Sequence, residues 1–342
     1  MLRLPLQALL GGLLAAALLL LGGCTAGGLS ALTTDQGYTL SQDVPYDRAN
    51  KLNVDIYSPS DAKNAPVVVF FFGGRWEKGD KSEYKFVGQA LASRGFVTIL
   101  ANYRLYPRVH FPDFIKDGAN AVKWAHDNAA QYGGNPQKLF VMGHSSGAHI
   151  AAMLALNEEY LKAVGGSRSW LTGMIGLAGP YDFLPITAPD LRDLFGPVER
   201  FPYTQPIFFV DGQNPPLFLV HGENDEIVDV ANTKKLAQAV SRAGGPVETL
   251  LYPKLSHELI IGSFASVLRG RSDVLDQVED FIKRRAAAAA SANARDNSIN
   301  AVPLQVEEIQ LAPTTIPEEG IGTPQPIVDG TQPPRPIAPV NP

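Results

Sequence analysis

The residues best suited to chemistry sit in Gly143-His144-Ser145-Ser146-Gly147, where two glycines bracket a serine at alternate positions. The apolar run Leu139 to Met142 precedes this pattern, and the small residues Ala148, Ala151 and Ala152 follow it. A strand that turns sharply into a helix pushes its central serine out of regular structure and exposes the hydroxyl at the end of a sheet. Glycine is needed on either side because a Cβ would crowd the turn or hold the helix off the strand. Ser145 is therefore the candidate nucleophile.

A serine hydroxyl attacks only after a base takes its proton, and imidazole does this best near neutral pH. A carboxylate must then fix the imidazole tautomer and stabilise the imidazolium. Behind a strand-to-helix nucleophile the order is serine, acid, histidine, each past the end of a separate strand. Asp225 lies just beyond Leu217 to Val220, and His257 just beyond Val247 to Tyr252. Both fit that order. Asp229, near the next helix start, and Glu223, with its longer side chain, are the alternative acids. Among the other histidines, His144 sits in the turn itself and His149 one helical turn on. His110, His126 and His221 fall on a loop, a helix face and a strand end. The alkoxide that develops on attack needs donors already aimed at it. The N–H of Ser146 supplies one; Gly74 and Arg75, in the glycine loop after Phe72, supply the others.

These loops must hang on one sheet. Pro66 to Phe72 and Phe96 to Ala101 are continuously apolar, as strands covered on both faces are. Tyr38 to Tyr46 and Lys51 to Tyr57 alternate and read as antiparallel edge strands. Met174 to Ala178, Leu217 to Val220 and Val247 to Tyr252 complete the strands. Helical spacing runs through Lys81 to Ser93, from an Asp113 N-cap through Trp124, through Ala231 to Arg242, and through a closing Ser272 to Arg285. The alternation predicts an α/β fold, a mostly parallel central sheet with helices on both faces and functional loops at the strands' carboxyl ends. It lapses between Asp182 and Pro216, where prolines interleave with Phe183, Phe195, Phe201, Phe208 and Phe209. That stretch predicts a small ordered lid over the site, about residues 183–215.

The 342 residues are 45% hydrophobic, enough for a sizeable core, and the length suits one large domain or two small ones. A net charge of −5 offers no basic stripe for nucleic acid. No phosphate-binding loop, HExxH helix or paired CxxC occurs, so neither cofactor nor metal is expected. Cys24 is the sole cysteine, which excludes an intramolecular disulfide. Beyond Arg285 the alanines 286–290 extend or fray the last helix, and ten prolines between Pro303 and Pro342 predict disorder, so that 286–342 reads as an Ala/Pro-rich disordered tail whose partner the sequence does not name.

Two resemblances follow. Arg3, the run Leu4 to Leu21 and then Leu21-Gly22-Gly23-Cys24 resemble the signal and lipobox of bacterial lipoproteins. That implies removal of residues 1–23, a lipid-modified Cys24 with a tether over 24–36, and a membrane as partner. Thr25 is not the aspartate associated with inner-membrane retention, which implies the outer membrane, facing the periplasm. The other reading is an uncleaved anchor, since about 18 apolar residues barely span a bilayer.

The second runs from about Pro66 to Arg285, within a catalytic domain expected over 37–285. Gly73-Gly74-Arg75-Trp76, Asn102-Tyr103-Arg104-Leu105, Tyr132-Gly133-Gly134, the Ser145 turn, His221-Gly222 with Asp225, and Tyr252-Pro253 with His257 together resemble an α/β-hydrolase. The likeness is to the esterase branch holding microbial carboxylesterases, acetyl-xylan and feruloyl-type esterases, arylformamidases and isoprenylcysteine methylesterases. It implies a serine esterase that acts on a small-molecule ester through Ser145, His257 and Asp225. Amide cleavage of the arylformamidase type and a weakened hydrolase-fold binding protein are the other two readings. Phe72 stands where that branch carries a histidine that hydrogen-bonds within the oxyanion loop.

Overall fold

The computed structural model describes residues 26–34 and 36–300, with side chains through residue 292. The stretch 1–23 expected to be a leader, Cys24 and most of the proline-rich tail lie outside the described residues. The strands are β1 (Tyr38–Asp47), β2 (Leu52–Pro59), β3 (Ala65–Phe71), β4 (Val97–Ala101), β5 (Gly134–His144), β6 (Leu171–Leu177), β7 (Leu217–Gly222) and β8 (Val247–Tyr252). They form one sheet in the order β1-β2-β4-β3-β5-β6-β7-β8. The pairs β1–β2 and β2–β4 are antiparallel and the other five parallel. Every residue of β4 and of β7 is buried. Because successive strand side chains point to opposite faces, such burial means that helices and loops cover the sheet on both sides.

The helices are α1 (Ala26–Ala31), α2 (Lys85–Ala92), α3 (Asp113–Asn128), α4 (Ser146–Leu156), α5 (Glu159–Ala163), α6 (Pro189–Phe195), α7 (Ala231–Arg242), α8 (His257–Gly262) and α9 (Val274–Asn300). Among the described residues no helix is long and apolar enough to cross a membrane. The parallel register sets Phe71 opposite Gly143, Leu177 opposite Val220 and Gly222 opposite Tyr252. The chain segments leaving β3, β5, β7 and β8 therefore emerge along one edge. Those are the segments that carry the glycine loop, Ser145, Asp225 and His257.

The turn at that edge is close-packed to a degree only glycine permits. A Cβ on Gly143 would lie 2.2 Å from the Gly147 carbonyl carbon, and one on Gly147 would lie 2.0 Å from the Phe71 carbonyl oxygen. All of α4 is buried, its small residues letting it lie against β5 and β6.

Three expectations are corrected. The tether over 24–36 contains α1, which buries Leu29 and hydrogen-bonds Ser30 Oγ to the Glu83 carbonyl at 2.5 Å. The alanines 286–290 do extend the last helix, alanine being the strongest helix former, but the helix runs on to Asn300, into the stretch expected to be disordered. Asp113 is not the cap of α3; Pro112 holds that position and Asp113 lies in the first turn, paired with Lys116 at 2.8 Å. Between Asp182 and Pro216 the chain forms α6 and two 3₁₀ turns, Val198–Thr204 and Pro206–Phe209, which bury Leu194, Phe195 and Phe201.

Candidate active site

Ser145 sits at φ 55°, ψ −123°, a conformation rarely tolerated outside glycine and held here by its surroundings. Its N–H donates to the Leu177 carbonyl at 2.9 Å, and its own carbonyl accepts the Ala148 N–H at 2.9 Å. His144, next to it, turns away from the serine. Its Nε2–H donates to the His257 carbonyl at 3.0 Å, with the two rings 4.7 Å apart. Burial, and then the neighbouring His257, hold the His144 imidazole down at about 3, so it stays neutral and clamps the base helix α8.

His257 opens α8, behind Ser256, whose hydroxyl caps the helix through the Leu259 N–H at 3.3 Å. Its Nδ1–H donates to Asp225 Oδ2 at 2.7 Å, and the Asp225 side chain is wholly buried. The other carboxylate oxygen, Oδ1, accepts the N–H groups of Ile227 at 2.9 Å and Val228 at 2.8 Å. His221 Nε2 stands 3.1 Å from Oδ2. Burial works to raise the Asp225 carboxyl, but hydrogen bonds from His221, His257 and the Val228 amide outweigh it and hold it well below the usual carboxylate range. The alternative acids are occupied elsewhere. Asp229 accepts the Ala231 N–H at 2.8 Å at the start of α7, and Glu223 pairs with Lys234 at 3.3 Å.

Ser145 and His257 line one cavity of about 680 Å³. Among the described residues no hydrogen bond yet joins Ser145 Oγ to the ring. Catalytic hydrogen bonds in ligand-free structures are often open and tighten when substrate arrives.

The glycine loop passes directly over the serine: a Cβ on Gly73 would stand 3.0 Å from the Ser145 Cβ. Gly74, Arg75 and Trp76 then follow one another at φ 137°, 59° and 61°. The Gly74 carbonyl accepts the N–H groups of Glu77 and Lys78 at 3.1 and 3.0 Å. The N–H groups of Gly74 and Arg75 have no hydrogen-bond partner among the described residues. Ser146 is the first residue of α4, where a backbone N–H has no partner within the helix.

Phe72 anchors this loop by packing. Its ring stacks on Tyr103 at 4.4 Å and on Tyr84 at 5.9 Å, and its carbonyl accepts the Tyr103 hydroxyl at 2.8 Å. The neighbours of Tyr103 pin the rest. Asn102 accepts the Lys81 N–H at 2.8 Å and donates to Asp80 at 2.8 Å, at the far end of the loop. Arg104 forks onto the buried Asp117 of α3 through Nε at 2.9 Å and a second nitrogen at 2.7 Å. Sequence reading recognised the Asn-Tyr-Arg run without assigning these jobs, which need the tertiary partners to be seen.

The proline-rich stretch forms one wall of the cavity through Phe183, Leu184 and Leu191. It is fixed at several points. His149 Nε2–H donates to the Thr204 carbonyl at 2.8 Å, Asn232 accepts the N–H groups of Tyr181 and Asp182 at 2.8 Å each, and Arg75 pairs with Asp190 at 2.6 Å. His149 is wholly buried, edge-on to Trp76 at 5.1 Å. Among the described residues no group of three or more His, Cys, Asp or Glu side chains is arranged to hold a metal ion.

Burial holds the His149 imidazole down at about 4 against the pull of the Thr204 carbonyl. In the unfolded chain it regains the ordinary histidine value of about 6.5. As pH falls from about 6.5 towards about 4, the unfolded state binds a proton that the folded state refuses, so stability must decline across that window. Urea midpoints between pH 7 and pH 4.5 are expected to fall less in His149→Leu than in the parent chain; an equal fall would place the titration elsewhere.

Comparisons with known proteins bear on the family and the fold. The BD-FAE family model matches residues 54–240, more than half of the chain. A protein of Arabidopsis thaliana named as a probable isoprenylcysteine alpha-carbonyl methylesterase is 28% identical over 63% of this chain and 50% of its own length. Esterase LipQ of Mycobacterium tuberculosis is 29% identical over 71% of this chain and 62% of its own. The chain thus spans about half to two thirds of the length of these curated relatives. A solved structure described as a truncated carbohydrate esterase from gut microbiota superposes with a TM-score of 0.65 at 23% identity, covering 74% of this chain and 99% of that one. The sheet order, the serine turn and the sequence match lead to one statement: the chain belongs to the BD-FAE family and has the α/β-hydrolase fold.

Proposed function

We propose that this protein is a carboxylic ester hydrolase that forms an acyl-enzyme on Ser145 and is held at a membrane by a lipid-modified Cys24. The observation that carries the chemistry is the 2.7 Å hydrogen bond from His257 to the buried Asp225, with His257 lining the same cavity as Ser145. His257 Nε2 takes the Ser145 proton as Oγ bonds to the ester carbonyl carbon. The N–H groups of Ser146, Gly74 and Arg75 receive the resulting oxyanion, a contribution of about 3 kcal/mol for each donor. Collapse breaks the bond to the alcohol oxygen, which leaves with the proton held by His257. Water, deprotonated by the same ring, then attacks the acyl carbon, and Ser145 leaves with that proton while the carboxylic acid is released. Asp225 keeps the imidazole in the tautomer that both steps need.

Esters are favoured over amides by the relatives named as esterases. The stack of Phe72 on Tyr103 counts against the weakened binding protein, because it supplies the loop support that a histidine gives elsewhere in the family. The cavity lining mixes apolar residues, Trp76, Phe183 and Leu191, with polar ones, Asn232 and Lys235, which suits a small or moderately sized ester carrying polar groups. The apolar run to Leu21 and the Leu-Gly-Gly-Cys24 ending support lipid anchoring, and Thr25 in place of an aspartate supports the outer membrane, facing the periplasm.

Hydrolysis of p-nitrophenyl acetate and butyrate tests the chemistry. Ser145→Ala is expected to abolish turnover, and Asp225→Asn to lower kcat by about four orders of magnitude with the fold intact. Undiminished turnover by Ser145→Ala would end the assignment. Anchoring is tested separately by fractionating cells that express the full chain. Cys24→Ser is expected to lose the lipid-dependent shift of the mature chain into the detergent phase, and an unchanged detergent-phase fraction would refute the lipidation.

A further inference from the structure

Asp225 offers one carboxylate oxygen to two imidazoles. One is His257; the other is His221, which lies near the end of β7 with a fully buried side chain. His221 Nε2 is 2.9 Å from the Val228 carbonyl and 3.1 Å from Asp225 Oδ2. A carbonyl only accepts, so Nε2 bears the hydrogen, directing it at Val228 and holding it within hydrogen-bond reach of Asp225 Oδ2. Nδ1 lies 2.8 Å from the Thr233 hydroxyl of α7, and in the neutral ring it accepts that proton.

We propose that His221 is a positioning residue for the acid–base pair, its Nε2–H fixing the plane of the Asp225 carboxylate so that Oδ2 faces His257 Nδ1. The inference rests on the reading of Asp225 as the acid of the site. The carboxylate torsion of an aspartate is broad and about two-fold, so amide donors on Oδ1 alone leave Oδ2 free to swing. A second donor on Oδ2 closes that freedom. The count of donors is also complete: Ile227 and Val228 on Oδ1, His221 and His257 on Oδ2. An ionised carboxylate has about four lone-pair sites, and one buried without donors for them is strongly disfavoured. His221 moreover ties three segments together, because Thr233 belongs to α7, Val228 to the acid loop, and the ring itself to β7.

A role confined to packing β7 against α7 would cost stability and nothing more. The test therefore compares His221→Leu and His221→Gln in the full chain, each alone and combined with Asp225→Asn, on p-nitrophenyl butyrate. His221→Leu is expected to lower kcat about 10- to 100-fold, the loss of one hydrogen bond to a charged group, with KM nearly unchanged. His221→Gln keeps an N–H within reach of Oδ2 and is expected to recover most of that loss. In the Asp225→Asn background His221→Leu should cost nothing further, because the two residues act as one unit. Equal losses in both backgrounds, or a glutamine variant as damaged as the leucine one, would overturn the proposal. Should His221→Leu fail to fold, His221→Gln and Thr233→Val carry the same comparison. The His257 Nδ1 proton resonance supplies a readout that needs no turnover: it is expected to shift in His221→Leu and to return in His221→Gln. An unmoved resonance refutes the positioning role, whereas a shift in a chain that shows no Ser145-dependent hydrolysis refutes the esterase reading alone.

Discussion

A carboxylate with no exposed surface is the constraint that the rest of this site answers to. Desolvation of Asp225 opposes ionisation, and only a full set of donors reverses that. Two of the donors are backbone amides of its own loop, which a short turn after a strand provides almost automatically. The other two are imidazoles, and placing them requires the sheet. His221 comes from the same strand end and His257 from the loop beyond the neighbouring strand, so the β7–β8 pairing through Gly222 and Tyr252 fixes their separation. A slip of one residue in that register would turn every side chain of β8 to the opposite face and carry the loop with it.

The other half of the site is built with a different kind of interaction. The glycine loop carries no hydrogen-bonding histidine at its base; instead Phe72 lies in a stack with Tyr103 and Tyr84, and a buried ion pair holds the far end. Lys81 contacts Asp43 and Asp55 at 2.7 Å each, with its own side chain and that of Asp55 nearly unexposed. Such a pair is weak evidence for stability, since desolvating both charges offsets much of their attraction. Its value here is positional: it fixes where the chain leaves the loop and enters α2. Three successive residues at positive φ then hold two amide groups free above Ser145. Charge at one end of the site and aromatic packing at the other leave the serine between two rigid frames.

Much of this was legible in the residues. The apolar runs marked the strands, the glycine spacing marked the turn at Ser145, and the order of Asp225 and His257 placed the candidate acid and base on neighbouring strand ends. What escaped reading was local structure that depends on distant partners. Six residues from Ala26 to Ala31 carry too little periodicity to announce a helix; α1 exists because Leu29 finds a buried place on the folded body. The cap of α3 is ambiguous in sequence, because an aspartate before an apolar face fits both a cap and a first turn, and here the preceding proline takes the cap. His144 and His221 looked like incidental histidines. Their roles come from a carbonyl 113 residues away in one case and from the acid itself in the other, and the only sequence signal was the His-Gly pair four residues ahead of an aspartate.

The account stands or falls on the reactivity of one hydroxyl. Incubation of the full chain with a fluorophosphonate probe, followed by peptide mass spectrometry, reads that reactivity without presuming any substrate. The account predicts a single stoichiometric adduct on Ser145, absent from Ser145→Ala and strongly slowed in His257→Ala. No adduct, an adduct on another residue, or labelling of Ser145 at the same rate without the imidazole of His257 would contradict it.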